Sequence, residues 1–241
     1  MQNAPFGHCF FAPKATGSQI LCRFAAETDA DHVPWHVTRR TEAGQGGLTL
    51  KAFETMTPHD TKAQFEQVLQ QCRNLFAGKL HDYGAAWRVM RPQTMTDQLY
   101  IKAARIRSLQ TKGCALVDEG IVPEFMGIVN YSIVALIQTE KGAATAEDVT
   151  ADEALALYDR QADEALQLML RKNHDYDEAW RAMRVSSFAD LILMKIFRTK
   201  QIEELSGCTL VSEGVEANYM DMLNYAVFAL IKLTLENGEA E

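Results

Sequence analysis

From residue 56 onward, the apolar residues recur at the spacing of amphipathic helices. Phe65, Leu69, Cys72 and Phe76 follow one another at intervals of three or four residues, which places them on one helical stripe. A later stretch repeats this spacing, with Ala154, Leu157, Ala165, Leu166 and Met169. Little of this part of the chain alternates with the period of two that is typical of a half-buried strand. The pattern predicts an all-α protein.

The first 55 residues show neither period and contain scattered prolines and a glycine-rich stretch at 44–47. We expect residues 1–55 to be loosely ordered or peripheral, and Met56 could be the true start of the protein. Thr57 and Pro58 are typical of a helix N-cap and of the first helical position. They predict the start of the first helix.

The sequence of the helical part contains an internal repeat. "KLHDYGAAWRVMR" (79–91) and "KNHDYDEAWRAMR" (172–184) are identical at nine of thirteen positions. Downstream, "GCALVDEG" (113–120) matches "GCTLVSEG" (207–214), and "NYSIVALI" (130–137) matches "NYAVFALI" (224–231). The sequence therefore predicts a tandem duplication of one helical-bundle unit, packed about a pseudo-twofold axis as a homodimer would be. The predicted parts are a first repeat at 56–140, a linker at 141–150 and a second repeat at 151–241, with Thr150 or Asp152 capping the next helix.

Composition narrows the classes of partner. The net charge of −8 and the pI near 5.3 argue against a nonspecific nucleic-acid surface, which needs excess Lys and Arg. A small anionic ligand needs only a few local cations and stays possible. The longest apolar runs are too short for a membrane span. We expect a protein that contacts neither nucleic acid nor membrane, as a monomeric pseudo-dimer or a homodimer.

The five cysteines form no C-x-x-C pair. We interpret Cys72, Cys114 and Cys208 as reduced thiols of a cytoplasmic protein. Cys9, Cys22, His32 and His36 suggest zinc, but the spacing of the two cysteines is much longer than zinc sites use.

Both repeats keep a similar set of polar residues. Each has a Lys before His-Asp-Tyr, and then a predicted helix with Lys and Arg three residues apart, hence on one face. These residues are Lys79, Asp82, Tyr83, Lys102 and Arg105, and then Lys172, Asp175, Tyr176, Lys195 and Arg198. The cations require anionic partners, either carboxylates of the next helix or phosphates of a ligand. The tyrosines could stack on a base, although buried, hydrogen-bonded tyrosines are favoured here. The repeated Trp and Met residues are expected in the core.

The last predicted helix is acidic. One of its faces carries three carboxylates and an amide, namely Glu213, Glu216, Asp221 and Asn224. Such a face could hold Mg²⁺, or it could be a solvated acidic helix start that the helix dipole favours. The first repeat has Gly127 in place of Asp221 and Val122 in place of Glu216. A metal-binding face is therefore expected only in the second repeat.

Taken in order, "KLHDYGAAW", "DQLYIKAARIRSL" and "EGVEANYMDMLNYA" resemble the nucleotide modification associated domain type 1 family, in two copies over 56–241. The acidic helix is more loosely similar to that of all-α nucleoside triphosphate pyrophosphatases, the MazG-like and dimeric dUTPase-like enzymes. Those enzymes hold Mg²⁺ with an E-x-x-E pair on one helix and an E-x-x-D pair on the next. This chain has Glu213, Glu216 and Asp221 on one predicted helix and no clear second pair, Glu203 and Glu204 being the nearest acids.

The resemblance implies a nucleotide-related protein, and two hypotheses follow. The first is an Mg²⁺-dependent enzyme that cleaves a nucleoside triphosphate to monophosphate and pyrophosphate. Its metal ligands would be Glu213, Glu216 and Asp221, and its catalytic residues Asp82, Asp175, Lys195 and Arg198. Substrate would be bound by Lys79, Tyr83, Lys102, Arg105, Lys172, Tyr176 and Asn224. The second is a non-catalytic nucleotide-binding or accessory module.

Overall fold

The computed structural model describes residues 60–113, 120–205, 207 and 213–236, and they fold into six α-helices. The helices are α1 (Thr61–Tyr83), α2 (Pro92–Lys112), α3 (Val122–Lys141), α4 (Ala151–Tyr176), α5 (Val185–Glu204) and α6 (Val215–Ile231). Short 3₁₀ turns cover Ala86–Val89 and Ala179–Ala182, and a π-helical turn, Lys232–Glu236, follows α6. Because these ranges contain no strand, the all-α prediction is confirmed. The expectation for residues 1–55 lies outside the described residues.

The described helix boundaries confirm one prediction and correct another. Helix α1 begins at Thr61, and the side chain of Asp60 caps it by accepting a hydrogen bond from the Ala63 N–H at 3.0 Å. The start predicted at Thr57 and Pro58 falls on residues outside the described ranges. Thr150 caps α4 in a reciprocal arrangement with Glu153, as one of the two predicted alternatives required.

The last helix starts later than its acidic residues suggest. Gly214 is extended and forms the N-cap, so that α6 begins at Val215. Glu213 precedes the helix, and the prediction that it shares a helical face with Glu216 is wrong for that reason. The equivalent helix of the first repeat, α3, carries Pro123 in its first turn, where proline needs no hydrogen-bond partner.

The two repeats pack reciprocally. The first contributes α1 to α3 and the second α4 to α6, and each helix contacts its own counterpart: α1 with α4, α2 with α5 and α3 with α6. In addition, α1 contacts α6 just as α4 contacts α3. These exchanged contacts are those expected of a pseudo-twofold axis. One core results, in which residues from matching positions of both repeats are fully buried: Phe65, Leu99 and Ile133 with Tyr158, Ile192 and Val227.

Two further expectations bear on the same core. Cys72 is a free thiol, and burial raises its pKa to about 12, so that it stays protonated at neutral pH. Cys114 and Cys208 lie outside the described residues. None of the helices that the structure describes has the length and apolar character needed to cross a membrane.

Candidate functional site

Some of the repeated charged residues form ion pairs between the two repeats on the protein surface. Lys200 Nζ lies 2.6 Å from Asp97 Oδ1, and Arg107 Nε lies 3.6 Å from Asp190 Oδ1, so that α2 and α5 exchange equivalent ion pairs. Asp97 and Asp190 are each about 60% exposed. Exposed pairs of this kind contribute at most about 1 kcal/mol to stability. The recurrence of these aspartates in both repeats therefore reflects packing.

In the second repeat, Asp221 is held between two lysines. Lys172 Nζ from α4 lies 2.6 Å from Oδ1, and Lys195 Nζ from α5 lies 2.6 Å from Oδ2. The Asp221 residue retains only 9% of its exposure. Burial acts to raise the pKa of this carboxyl, but the hydrogen bonds and charges of the two lysines outweigh it, so that the pKa lies below its ordinary value. The Asp221 carboxylate therefore links α4, α5 and α6, the three helices of this repeat.

This ion-pair cluster predicts a specific pH dependence. A carboxyl whose pKa is depressed on folding adds stability above its unfolded pKa, about 3.9, and that stability is lost as the pH falls through the folded pKa. We expect Asp221→Asn to be less stable than the wild type at neutral pH, with a difference that shrinks below about pH 4. Urea unfolding between pH 3 and pH 7 measures it. A difference that stays constant across this range would contradict the assignment.

The three predicted metal ligands do not come together. Glu213 and Glu216 are both exposed, and Glu213 lies before the helix. Over the described ranges, no three His, Cys, Asp or Glu side chains are close enough to hold a metal ion. Asp221 already neutralises Lys172 and Lys195, whose charges oppose a cation. These residues therefore do not fit an Mg²⁺ site in this arrangement.

The first repeat encloses a cleft between α1, α2 and α3 that has a volume of about 420 Å³. Its polar lining consists of Lys79, Tyr83, Lys102, Glu124 and Asn130, and its aromatic lining of Phe76, Trp87 and Tyr131. We call it the first-repeat cleft. Six of these residues come from the motifs that the duplication repeats: Lys79, Tyr83, Trp87, Lys102, Asn130 and Tyr131. Of the predicted substrate-binding residues of the first repeat, Lys79, Tyr83 and Lys102 line the cleft, whereas Arg105 is not among its lining residues.

Glu124 neutralises the predicted cations of α2. Lys102 Nζ lies 3.1 Å from Glu124 Oε2, and Arg105 forms an ion pair with the other oxygen. The side chain of Glu124 is only 5% exposed. This confirms that Lys102 and Arg105 share a helix face, and a carboxylate of the next helix serves as their partner. Lys79, in contrast, is exposed and forms no ion pair or hydrogen bond within the described part of the chain.

Each repeat has one buried acid on its third helix, but the two acids stand at different aligned positions, three residues or about one helical turn apart. Matching the repeats pairs Gly127 with Asp221 and Glu124 with Asn218, whose amide donates to the Gly214 carbonyl at 3.0 Å. A Cβ added to Gly127 would lie 3.2 Å from the Cδ and Cε atoms of Lys102, so the lysine stem crosses the space beside this glycine. The acid of the first repeat therefore contacts Lys102 but leaves Lys79, the counterpart of Lys172, without a partner in the described residues.

The tryptophans of the repeated motif differ in their hydrogen bonds. Trp180 Nε1 donates to Asn173 Oδ1 at 3.1 Å. Trp87 Nε1 is buried without an acceptor among the described residues, because Leu80 occupies the position equivalent to Asn173. Trp87 lines the first-repeat cleft. The Nε1 atom itself is buried, so the cleft presents part of the Trp87 side chain but not this N–H group.

Two tyrosine predictions are wrong. Tyr83 and Tyr176 are 59% and 70% exposed, not buried, because each is the last residue of its helix. Gly84, directly after Tyr83, has φ +66° and ψ −159°, a conformation that essentially only glycine adopts, and a Cβ there would lie 2.6 Å from a Glu147 carboxylate oxygen. The second repeat makes the turn with Asp177 at φ 47°. Tyr83 is thus presented at the rim of the first-repeat cleft.

The remaining predicted residues lie apart. Asp82 and Asp175 are more than two-thirds exposed, and each contacts the histidine beside it, His81 at 3.4 Å and His174 at 3.1 Å. Arg198 lines a separate shallow depression between α2 and α5, together with Arg107 of α2 and Asp190 of α5. The catalytic roles assigned to these residues stay predictions.

The repeated asparagines are structural in at least one repeat. Asn130 donates to the Cys72 carbonyl at 3.1 Å and accepts from the Tyr158 hydroxyl at 2.8 Å, which ties the repeats together. Asn224 Oδ1 is buried without a hydrogen-bond partner among the described residues. Phe65 stands where the pseudo-twofold would place a second Tyr158, and it has no hydroxyl to offer.

Sequence reasoning missed Glu124 and Trp87 as parts of the site. The sequence does contain a signal for Glu124, since Gly127 and Asp221 align and a helix that loses one acid requires another for its cations. The alignment by itself suggests instead the loss of a metal ligand. The unsatisfied Trp87 N–H can be recognised only once the Leu80 and Asn173 side chains are placed in three dimensions.

The family comparison agrees with the duplication. A family model described as "Nucleotide modification associated domain 1" matches the chain twice, at residues 79–139 and 172–233, which together make up about half of its length. The first match includes Lys79, Lys102, Glu124 and Gly127, and the second includes Lys172, Lys195 and Asp221. No curated protein and no solved structure matches the chain.

Proposed function

Because the chain belongs to the nucleotide modification associated domain 1 family, we propose that its first repeat binds a nucleotide in the first-repeat cleft without hydrolysing it. The observation that carries this proposal is the combination of a cleft with a lysine that no carboxylate of the described residues neutralises. Lys79 lines the cleft and has no ion-pair partner in the described ranges, whereas its counterpart Lys172 binds Asp221.

The size and lining of the cleft suit a mononucleotide. A volume of about 420 Å³ lies within the range of small-molecule sites, about 300–1,000 Å³. Lys79 and Lys102 would contact phosphate oxygens through charge-assisted hydrogen bonds. Tyr83 offers an exposed ring on which a base can stack, since every base has a π face.

The electrostatics of the second repeat favour binding over metal-dependent hydrolysis. Hydrolysis of a triphosphate through Mg²⁺ requires carboxylates that are free to hold the cation. Asp221 is bound by two lysines. Glu213 and Glu216 are exposed, and among the described residues they form no metal-binding group with Asp221. Magnesium-dependent pyrophosphohydrolysis is therefore the alternative activity, and an assay for its products must exclude it.

The test uses the full chain and a panel of nucleoside mono-, di- and triphosphates with ribose and deoxyribose. Calorimetric titration with and without Mg²⁺ measures binding, and anion-exchange chromatography measures products. We expect saturable binding of at least one nucleotide class and no release of pyrophosphate. Metal-dependent formation of monophosphate and pyrophosphate would overturn the proposal in favour of the hydrolase.

Lys79→Met and Lys172→Met form a matched pair for this assay. The lysines are equivalent in sequence, but only Lys79 faces the first-repeat cleft. Loss of one charge-assisted hydrogen bond, worth about 1.5–3 kcal/mol, should weaken binding at least about tenfold in Lys79→Met. Lys172→Met should bind nucleotide with the affinity of the wild type. Equal losses in both variants would remove the first-repeat cleft as the site.

A further inference from the structure

We infer that the second repeat contains a closed copy of the same anion site, in which the Asp221 carboxylate occupies the place that a phosphate group takes between Lys79 and Lys102 in the first repeat. The statement about the first repeat rests on the proposed function. The statement about the second repeat rests on the duplication and on the ion pairs of Asp221 alone.

The equivalence of the lysines is the first step. Lys79 and Lys102 correspond to Lys172 and Lys195, at the same offset along the chain. Each pair has one lysine on the first helix of its repeat and one on the second, and Lys79 and Lys102 both line the cleft that α3 borders. In the second repeat the two Nζ atoms bind separate oxygens of one carboxylate at 2.6 Å each. A phosphate offers oxygens of the same charge to the same donors at similar distances.

The absence of a side chain at Gly127 is the second step. Asp221 occupies, in α6, the position that Gly127 holds in α3. The first repeat therefore lacks the carboxylate that binds the two lysines in the second repeat. The first-repeat cleft runs past this glycine, which is one of its lining residues. Without an acid at position 127, Lys102 pairs with Glu124, and Lys79 lines the cleft without an ion-pair partner in the described residues.

The third step concerns how tightly the second copy is closed. Lys195 and Asp221 keep only 13% and 11% of their side-chain exposure, whereas Lys102 keeps 30%. Asn218, at the position of Glu124, is committed to the Gly214 carbonyl and carries no charge. Removal of the Asp221 carboxylate would therefore leave Lys172 and Lys195 without the acid that binds them in the described part of the chain. An anion from solution is the natural replacement.

The test is to open the closed copy with Asp221→Ala in the full chain, and with Asp221→Gly to reproduce the first repeat. Inorganic phosphate is the probe, with sodium chloride at matched ionic strength as the reference. Both variants should melt at a lower temperature than the wild type in chloride. Phosphate should raise their melting temperature more than that of the wild type, and calorimetry should find one phosphate more per chain than in the wild type.

Asp97→Ala is the matched control. It also deprives a lysine, Lys200, of a carboxylate at 2.6 Å, but this pair lies on the surface outside any equivalent cleft. Phosphate should stabilise this variant no more than the wild type. A similar response in Asp97→Ala would show general neutralisation of lysine charge and would overturn the inference.

The outcomes for the two proposals are separable. If the wild type binds neither nucleotide nor phosphate while Asp221→Ala binds one phosphate, the proposed function fails and the closed copy stands. If the wild type binds nucleotide in the first-repeat cleft while Asp221→Ala and Asp221→Gly gain no phosphate and no stabilisation by it, the closed copy is overturned and the proposed function stands.

Discussion

Gly127→Asp is expected to weaken nucleotide binding about a hundredfold while raising the melting temperature of the protein. The new carboxylate would enter the first-repeat cleft where Asp221 lies in the second repeat, and Lys79 and Lys102 would bind it in place of a phosphate. The nucleotide would then forgo two charge-assisted hydrogen bonds, and at about 1.5–3 kcal/mol each this gives a factor of about 100 or more. The lysine stem that would lie 3.2 Å from the new Cβ is flexible and can shift.

Stability should change in the opposite direction, which separates a closed site from a damaged protein. Glycine inside a helix costs roughly 0.5–1 kcal/mol relative to alanine, and its replacement in α3 removes part of that cost. The carboxylate also gives Lys79 the partner that it lacks in the described structure. Calorimetric titration with the best nucleotide and a thermal melt measure the two effects.

Gly127→Asn is the control for the steric part of this effect. Asparagine has nearly the same shape as aspartate but carries no charge. If charge competition causes the weaker binding, the asparagine variant should retain a larger share of the affinity than the aspartate variant. Equal binding by Gly127→Asp and the wild type would show that the nucleotide does not use the space between these lysines.

Much of the fold could be predicted from the sequence because the fold is periodic and duplicated. The apolar stripe through Phe65 and Cys72 identifies α1, and the repeated "NYSIVALI" and "NYAVFALI" identify α3 and α6. These predictions depend on local periodicity, which one helix expresses by itself. The positions of helix ends are less predictable. Asp60 caps α1 and Gly214 caps α6, whereas the nearby Pro58 and Glu213 predict earlier starts for these helices.

The candidate site was only half predictable. The pattern puts Lys102 and Arg105 on one face, but it does not identify Glu124 as their partner, because that choice depends on how α3 is rotated against α2. The same pattern singles out Asp221 as an acid on the inner face of the last helix. Its binding by two lysines follows from the distance between α4, α5 and α6, which sequence spacing does not provide.

The first of the two arginines in the repeated motif, Arg88, is expected to be structural, with a large effect on stability. Arg88 is 1% exposed, and its guanidinium donates to both oxygens of Asp148, at 2.6 and 3.0 Å, and to the Gly142 carbonyl at 2.9 Å. It also bonds the side chain of Gln138, which is fully buried. The Arg88 side chain thus contributes much of the contact between the linker and the motif, beside the Ala144 N–H, which donates to the Arg88 carbonyl at 2.9 Å. Because the guanidinium is engaged in these bonds, it has no part in the first-repeat cleft.

Arg88→Met should lower the free energy of unfolding by about 3 kcal/mol, since it leaves Gln138 and the Gly142 carbonyl without their charged donor at about 1.5–3 kcal/mol per bond. For a chain of this size, that change lowers the melting temperature by roughly 6–12 °C. Arg91→Met, the same change at an exposed arginine three residues later, should stay within about 0.5 kcal/mol of the wild type. Urea unfolding of both variants measures the difference. Equal stability of the two variants would mean that the linker is held by other contacts, and that the arginine is repeated for a reason connected with the ligand.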